Sequence, residues 1–211
     1  MRMFAGMCAF ALVLSLFAAD AEIKLVKPDT TGGKPLMQAI AERRSMRNFA
    51  ATPLTEQQLS DIFFAAHGLT GKKGRRTTPT ARNVLDMEIF AATPQGLYRY
   101  DAETHSLKLV LDKDIRKSCG RQGFHAKAPL DLIYVSDYDK YKASGMSEVN
   151  ADFYAPNHAG YISQNVYLYA ASAGLVTVVC NNVDKPALAR AMKLGPQYRI
   201  MLTQPVGNPA K

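Results

Sequence analysis

The strongest constraint on the fold is one long helical pattern set between two apolar strand patterns. Residues 157–173 place Ile162, Val166, Tyr169, Ala170 and Ala173 on one helical face. Pro156 opens that pattern and Gly174 stops it. Residues 130–136 read as an apolar strand before it, and residues 176–180 as a buried strand after it, by their continuous β-branched run. A helix with one apolar face has to bury it against another layer, and here its neighbours in the chain are strands.

The other elements agree. Leu36, Met37 and Ile40 give a helical stripe through residues 35–44, which Met46 could extend, with Pro35 in its first turn. Thr55 and Gln58 form a capping box, followed by Leu59, Ile62, Phe63 and Ala66 at helical spacing and a stop at Gly68 or Gly71. Residues 87–93, 97–100 and 106–111 read as a meander turned by Pro94-Gln95-Gly96. Residues 113–119 and 185–194 suit short helices, and residues 198–204 a strand. Helices and strands are interspersed, with at least one hairpin, which means α+β or α/β with a mixed sheet. There is neither an interdomain linker nor a repeat at the roughly 20–50-residue period of solenoids.

The chain is 47% hydrophobic and 21% charged, which excludes wholesale disorder. Its net charge of +8 favours anionic partners: nucleic acid, a phosphate-bearing cofactor or an anionic surface. At the N-terminus, Arg2 precedes an uncharged run of 17 residues from Met3 to Ala19, short of the roughly 20 that a spanning helix needs. Ala19-Asp20-Ala21 is an A-x-A-like site, so residues 1–21 read as a cleaved secretory signal. That implies an exported protein, periplasmic or secreted, with no stable membrane insertion after cleavage. Cys119 and Cys180 are the cysteines left; they form no C-x-x-C, and two unpaired thiols are the preferred reading over a disulfide formed in an oxidising compartment.

His67, His105, His125 and His158 lack metal-ligand spacing, and neither a P-loop nor a G-x-S-x-G is present. The dense signal is Arg43-Arg44-Ser45-Met46-Arg47 at a helix end. If the chain leaves the helix extended, residues 43, 45 and 47 point the same way and can close on one dianion. Guanidinium groups suit that task because their planar fork pairs with phosphate oxygens and stays charged. The competing reading is a solvated basic helix end that complements the helix dipole. A second signal is Pro79-Thr80-Ala81-Arg82-Asn83, whose small and polar residues let backbone approach a flat ligand; an ordinary loop is the alternative. A third is Gly160-Tyr161-Ile162-Ser163-Gln164-Asn165, a small-residue helix segment that also suits simple burial.

Taken in order, these segments resemble the flavin-dependent nitroreductase family. Gly96-Leu97-Tyr98-Arg99-Tyr100-Asp101, Gly174-Leu175 and Pro205-Val206-Gly207-Asn208-Pro209 complete the set, and the branch of azoline-oxidising dehydrogenases is the most similar. The resemblance spans residues 34–211, leaving residues 22–33 as an extended N-terminal arm. It implies an α+β fold: a nitroreductase-like α/β sandwich with a mixed, mainly antiparallel sheet flanked by helices. It implies a homodimer binding flavin mononucleotide (FMN) at the subunit interface, with a small-molecule electron donor and acceptor and no nucleic acid. Carried over, Arg43, Ser45 and Arg47 hold the cofactor phosphate with Arg44 nearby, and Lys211 is the candidate for a further basic contact. Pro79, Thr80, Ala81 and Asn83 line the flavin, and backbone at Val178 and Val179 meets it. The implied reaction is ping-pong electron transfer to a nitroaromatic, a quinone or a similar acceptor, with no catalytic side chain assigned. A secreted flavin-binding protein without turnover and a basic anion- or nucleic-acid-binding module are the competing classes. Many relatives carry Gln and Pro-Trp where this chain has Leu85 and Asp86-Met87, and it lacks a long insert that covers the site in some.

Overall fold

The computed structural model describes residues 20–71 and 74–211. The signal segment up to Ala19, and Lys72 and Lys73 of the basic loop, lie outside the described residues. Among the described residues seven strands form one sheet: β1 (Glu22–Lys24), β2 (Met87–Ala92), β3 (Leu97–Asp101), β4 (Ser106–Leu111), β5 (Leu130–Asp137), β6 (Val176–Thr177) and β7 (Tyr198–Gly207). Their spatial order is β1-β4-β3-β2-β5-β7-β6. All of the described pairings are antiparallel, so the expected α+β class holds and its sheet has no parallel pair among the described strands. The N-terminal arm contributes the edge strand β1, paired with β4.

Among the described residues five helices pack around the sheet: α1 (Leu36–Glu42), α2 (Glu56–His67), α3 (Tyr138–Ala143), α4 (Glu148–Ala173) and α5 (Lys185–Ala191). Strand β5 is central and buried on both faces, which explains its continuous apolar run. Leu132 and Tyr134 pack with Ile62, Phe63 and Ala66 of α2 and Ile162, Val166 and Ala170 of α4. Ile133 and Val135 point the other way, against Leu188 and Met192 of the α5 side. The sheet is thus the middle layer of a sandwich, with α4 as the spine of one outer layer.

Four of the differences between sequence pattern and structure bear on the site's frame. Helix α4 starts at Glu148, not at Pro156, because Ser147 and Asn150 make a reciprocal capping box upstream. Pro156 then lies inside the helix, where its missing N–H would open the backbone ladder; the Asn157 amide donates to the Phe153 carbonyl at 2.6 Å nearby. The segment expected as a helix over residues 113–119 is only a 3-10 turn, Arg116–Ser118. The strand expected over residues 176–180 shortens to two residues, with Cys180 joined to Thr203 by an isolated bridge. The apolar stripe of α1 faces outward: Leu36, Met37 and Ile40 are exposed, and only Ala39 of that helix is buried.

The Thr55 capping box forms as expected, with reciprocal bonds of 3.1 and 2.9 Å to Gln58. Gly174 ends α4 in the left-handed region at φ 69°, a conformation that costs glycine nothing. Gly207 is required differently: a Cβ there would sit 2.6 Å from Pro129 Cδ, so only glycine lets the tail pass Phe49. Cys119 and Cys180 are buried free thiols, and burial raises the Cys119 pKa well above the ordinary thiol range. No described helix is long and apolar enough to cross a membrane.

Candidate functional site

The basic cluster leaves α1 as an extended segment. Arg43 ends the helix at φ −51°, ψ 123°, and the Met46 amide donates to the Thr177 carbonyl at 3.0 Å. The chain then pairs with the C-terminal tail: Ala50 N–H to Asn208 O at 2.9 Å, and Ala210 N–H to Asn48 O at 2.8 Å. The geometry that lets residues 43, 45 and 47 share a side is therefore present. The same pairing carries Lys211, one residue beyond Ala210, to the Asn48 end of the cluster.

Tyr167, on α4, organises this corner. Its ring lies under the Arg43 guanidinium, 5.2 Å from the centroid. Its hydroxyl shares a 2.7 Å hydrogen bond with Ser45 Oγ and accepts the Val179 N–H at 2.9 Å. Arg43, Ser45 and Val179 are thus brought together through one buried phenol. Two expectations change here. The Val179 N–H serves the protein rather than a ligand, and Val178 is buried against Phe49 and Ala128. Arg44 folds back, donating to the Ala41 and Arg43 carbonyls at 2.9 and 2.8 Å, so it closes the helix end as the dipole reading requires. A 210 Å³ cavity beside the cluster, touching Arg44, Met46, Tyr167 and Pro209, falls short of the roughly 300–1,000 Å³ usual for an enclosing ligand site.

The second segment lies elsewhere. Pro79 and Asn83 are exposed on a loop that turns through a short 3-10 segment, Ala81–Asn83. Arg82, Asn83 and Leu85 all have φ near 50°, a left-handed region that costs a non-glycine residue about 1–2 kcal/mol. Such a loop needs external anchors. The Ala81 N–H donates to His158 Nε2 at 2.8 Å, the Leu85 N–H to Thr80 Oγ1 at 3.3 Å, and Lys140 Nζ to the Leu85 carbonyl at 2.8 Å. Phe153 and Tyr161 are exposed aromatics of α4, and the Tyr161 ring lies 6.3 Å from that of His158.

Within one chain these two segments do not meet. The loop docks at His158 and the cluster at Tyr167. Nine residues of helix separate them, about two and a half turns and roughly 14 Å, which sets them on opposite sides of α4.

The four histidines all serve as structural polar anchors. His67 bonds Thr78 Oγ1 at 2.9 Å, and burial, then the nearby Arg76, pull its pKa down to about 3. His105 bridges Ser60 and Tyr100 at 2.8 and 2.9 Å. His125 pairs with Asp131; burial opposes its charge, but the hydrogen bond to that carboxylate outweighs burial and holds the imidazole at about 9. Among the described residues no group of three or more His, Cys, Asp or Glu could hold a metal ion. Tyr167, His158 and Asp86 were missed by sequence reasoning, since an aromatic or histidine within a helical pattern looks like core.

The profile of the nitroreductase family matches residues 40–208. A nitroreductase candidate of Methanocaldococcus jannaschii is 32% identical over 187 residues, 82% of this chain and 90% of its own. The chain belongs to the nitroreductase family. A solved nitroreductase candidate of Ralstonia eutropha has 35% identity and a TM-score of 0.85, with 91% of each chain covered. Another, from Desulfovibrio desulfuricans and solved with FMN, shares the fold at 19% identity and a TM-score of 0.62, covering 85% of this chain and 89% of its own. The family match contains the basic cluster, the loop and the Pro205–Gly207 end of β7, so both segments of the candidate site lie in the nitroreductase domain.

Proposed function

We propose that the protein is an FMN-dependent oxidoreductase of nitroreductase type, exported by residues 1–21 and active as a homodimer. The observation that carries this reading is the convergence of Arg43 and Ser45 on Tyr167 at the start of an extended segment that continues to Arg47. Two guanidinium groups, a hydroxyl and the approaching Lys211 make a donor set suited to a phosphate dianion. Arg43, Ser45 and Arg47 would hold the phosphate, Pro79, Thr80, Ala81 and Asn83 would line the ring, and Arg44 serves the helix end instead. Because the two segments lie on opposite sides of α4, a second copy of the chain completes the site. The outward stripe Leu36, Met37 and Ile40, with Met46, Val149 and Phe153, offers apolar surface for that copy.

Bound FMN would supply the redox chemistry, taking two electrons from a donor and passing them to a nitroaromatic, a quinone or a similar acceptor. The chain's own residues bind and orient. Export argues against reduced nicotinamide as the obligatory donor. Kinship with the azoline-oxidising branch rests on the ordered motifs quoted above. The test is an absorbance spectrum of the purified mature protein and an FMN titration, followed by anaerobic stopped-flow reduction with nicotinamide, a quinol or dithionite. About one FMN per subunit and rapid reduction by an extracytoplasmic donor are expected. A colourless protein that stays apo in excess FMN refutes the cofactor reading, and reduction by dithionite alone leaves binding without turnover.

A further inference from the structure

A buried polar cluster stands directly behind the left-handed loop. His158 is 2% exposed and makes two short contacts: Nε2 with the Ala81 amide at 2.8 Å, and Nδ1 with Asp86 Oδ1 at 2.6 Å. A backbone amide can only donate, so Nε2 presents its lone pair and Nδ1 carries the proton. Asp86, fully buried, accepts the Ser136 hydroxyl at 2.7 Å on its other oxygen. The Tyr141 hydroxyl lies 3.2 Å from His158 Nδ1 in the same cluster. The carboxylate therefore receives donors from two elements, Ser136 of β5 and His158 of α4, and holds one edge of the imidazole. That leaves the opposite nitrogen facing outward, toward the loop.

We propose that His158 is the positioning residue of the cofactor loop: it fixes Ala81 through its amide, and Asp86 holds it in the single tautomer able to do so. The proposal rests on the reading of Pro79, Thr80, Ala81 and Asn83 as flavin-lining. It explains why a buried carboxylate follows a loop with three left-handed residues. Arg82 and Asn83 hold their conformation only while both ends of the turn are pinned. Ala81 is pinned by His158, and Leu85 by Thr80 and Lys140. The imidazole thus acts on the cofactor through the backbone, without touching it.

Two substitutions separate the two nitrogens. In His158→Gln the side-chain oxygen reaches the place of Nε2 and can accept the Ala81 N–H. His158→Asn reaches only as far as Nδ1, so it keeps a donor toward Asp86 and leaves Ala81 unpaired. FMN affinity by fluorescence quenching and amide exchange at Ala81 in cofactor-free protein are measured on both full-length variants. Asn should weaken FMN binding about tenfold and speed Ala81 exchange by a similar factor, a loss of about 1.4 kcal/mol. Gln should stay within about threefold of wild type in both. Equal behaviour of the two variants, or wild-type affinity and exchange in Asn, overturns the proposal. Imidazole nitrogen NMR of the wild type tests it without any variant: an unprotonated Nε2 supports it, and a protonated one overturns it. Should wild type bind no FMN, the cofactor reading fails by itself, while Ala81 exchange still decides whether His158 anchors the loop.

Discussion

Replacing Tyr167 by Phe removes one oxygen and leaves the ring in place. That oxygen accepts the Val179 N–H at 2.9 Å and shares a 2.7 Å bond with Ser45. An amide buried without a partner costs about 1–3 kcal/mol; Val179 is half-buried, so the lower half of that range applies. The ring keeps its place under Arg43, so the cation–π contact, worth about 0.5–2 kcal/mol, survives. The expected loss is therefore about 1–2 kcal/mol, read as a lower denaturant midpoint at unchanged slope. Ser45 loses its tether as well, so FMN affinity should fall about tenfold. Tyr167→Leu removes the ring too and should lower affinity further, because Arg43 then has nothing to lie on. A wild-type midpoint and a wild-type FMN affinity in Tyr167→Phe would refute the idea that this phenol ties the cluster to the segment after β6. A lower midpoint with unchanged affinity would confine Tyr167 to the fold and take the phosphate role away from Ser45.

Arg43→Ala and Arg47→Ala should each weaken FMN binding by about one to two decades, the worth of a charge-assisted hydrogen bond, in a fluorescence titration. Arg44→Ala should cost less, since that side chain caps α1; equal losses for all three would favour a diffuse basic surface. The FMN-bound protein should scatter light as a dimer, and a monomer mass with flavin bound would remove the shared-site argument. His67 is held neutral in the fold with its pKa pulled down to about 3, while in the unfolded chain it titrates near 6.5. The unfolded state then binds the extra proton between those values, so stability should fall with acid by about 2–3 kcal/mol from pH 7 to pH 4.5. Subtracting the His67→Asn profile isolates this part, and parallel profiles would contradict it. N-terminal sequencing of the exported protein should begin at Glu22, and a start at Met1 would sink the signal reading.

Much of the sheet was legible because strands and periodicity share a length scale. The runs that became β2, β3, β4 and β5 are bounded by turn residues and match the structure within one or two positions. Helix α4 was legible in its second half only. Pro156 looks like a first-turn proline, and the true start at Glu148 depends on a capping box without an acidic or glutamine partner. Helix α3 escaped because Tyr138 and Tyr141 are its only buried residues, too few to make a period. The outward turn of Leu36, Met37 and Ile40 could not be read from spacing, because a helical stripe has the same period whether it meets its own sheet or another chain. Of the site, the arginine cluster and the loop were visible as composition. Their anchors, Tyr167 and His158, were not, because each acts through a partner more than 70 residues away in the chain.

The arrangement around α4 links binding to assembly. One side of the helix holds the arginine cluster through Tyr167, and the other holds the left-handed loop through His158; under the proposed function these face the phosphate and the ring. The 210 Å³ cavity beside the cluster is too small to enclose a cofactor within one chain. In the proposed homodimer a second copy would supply the missing half twice over, since a two-fold contact repeats every pairing. Exposed apolar side chains on α1 and on the first turns of α4 then have a reason to face outward. Each FMN bound across such an interface favours the dimer by its own binding free energy, so cofactor and partner stabilise one another. The sheet and α2 pack against α4, and each half-site is tied to that helix by one side-chain anchor, Tyr167 or His158.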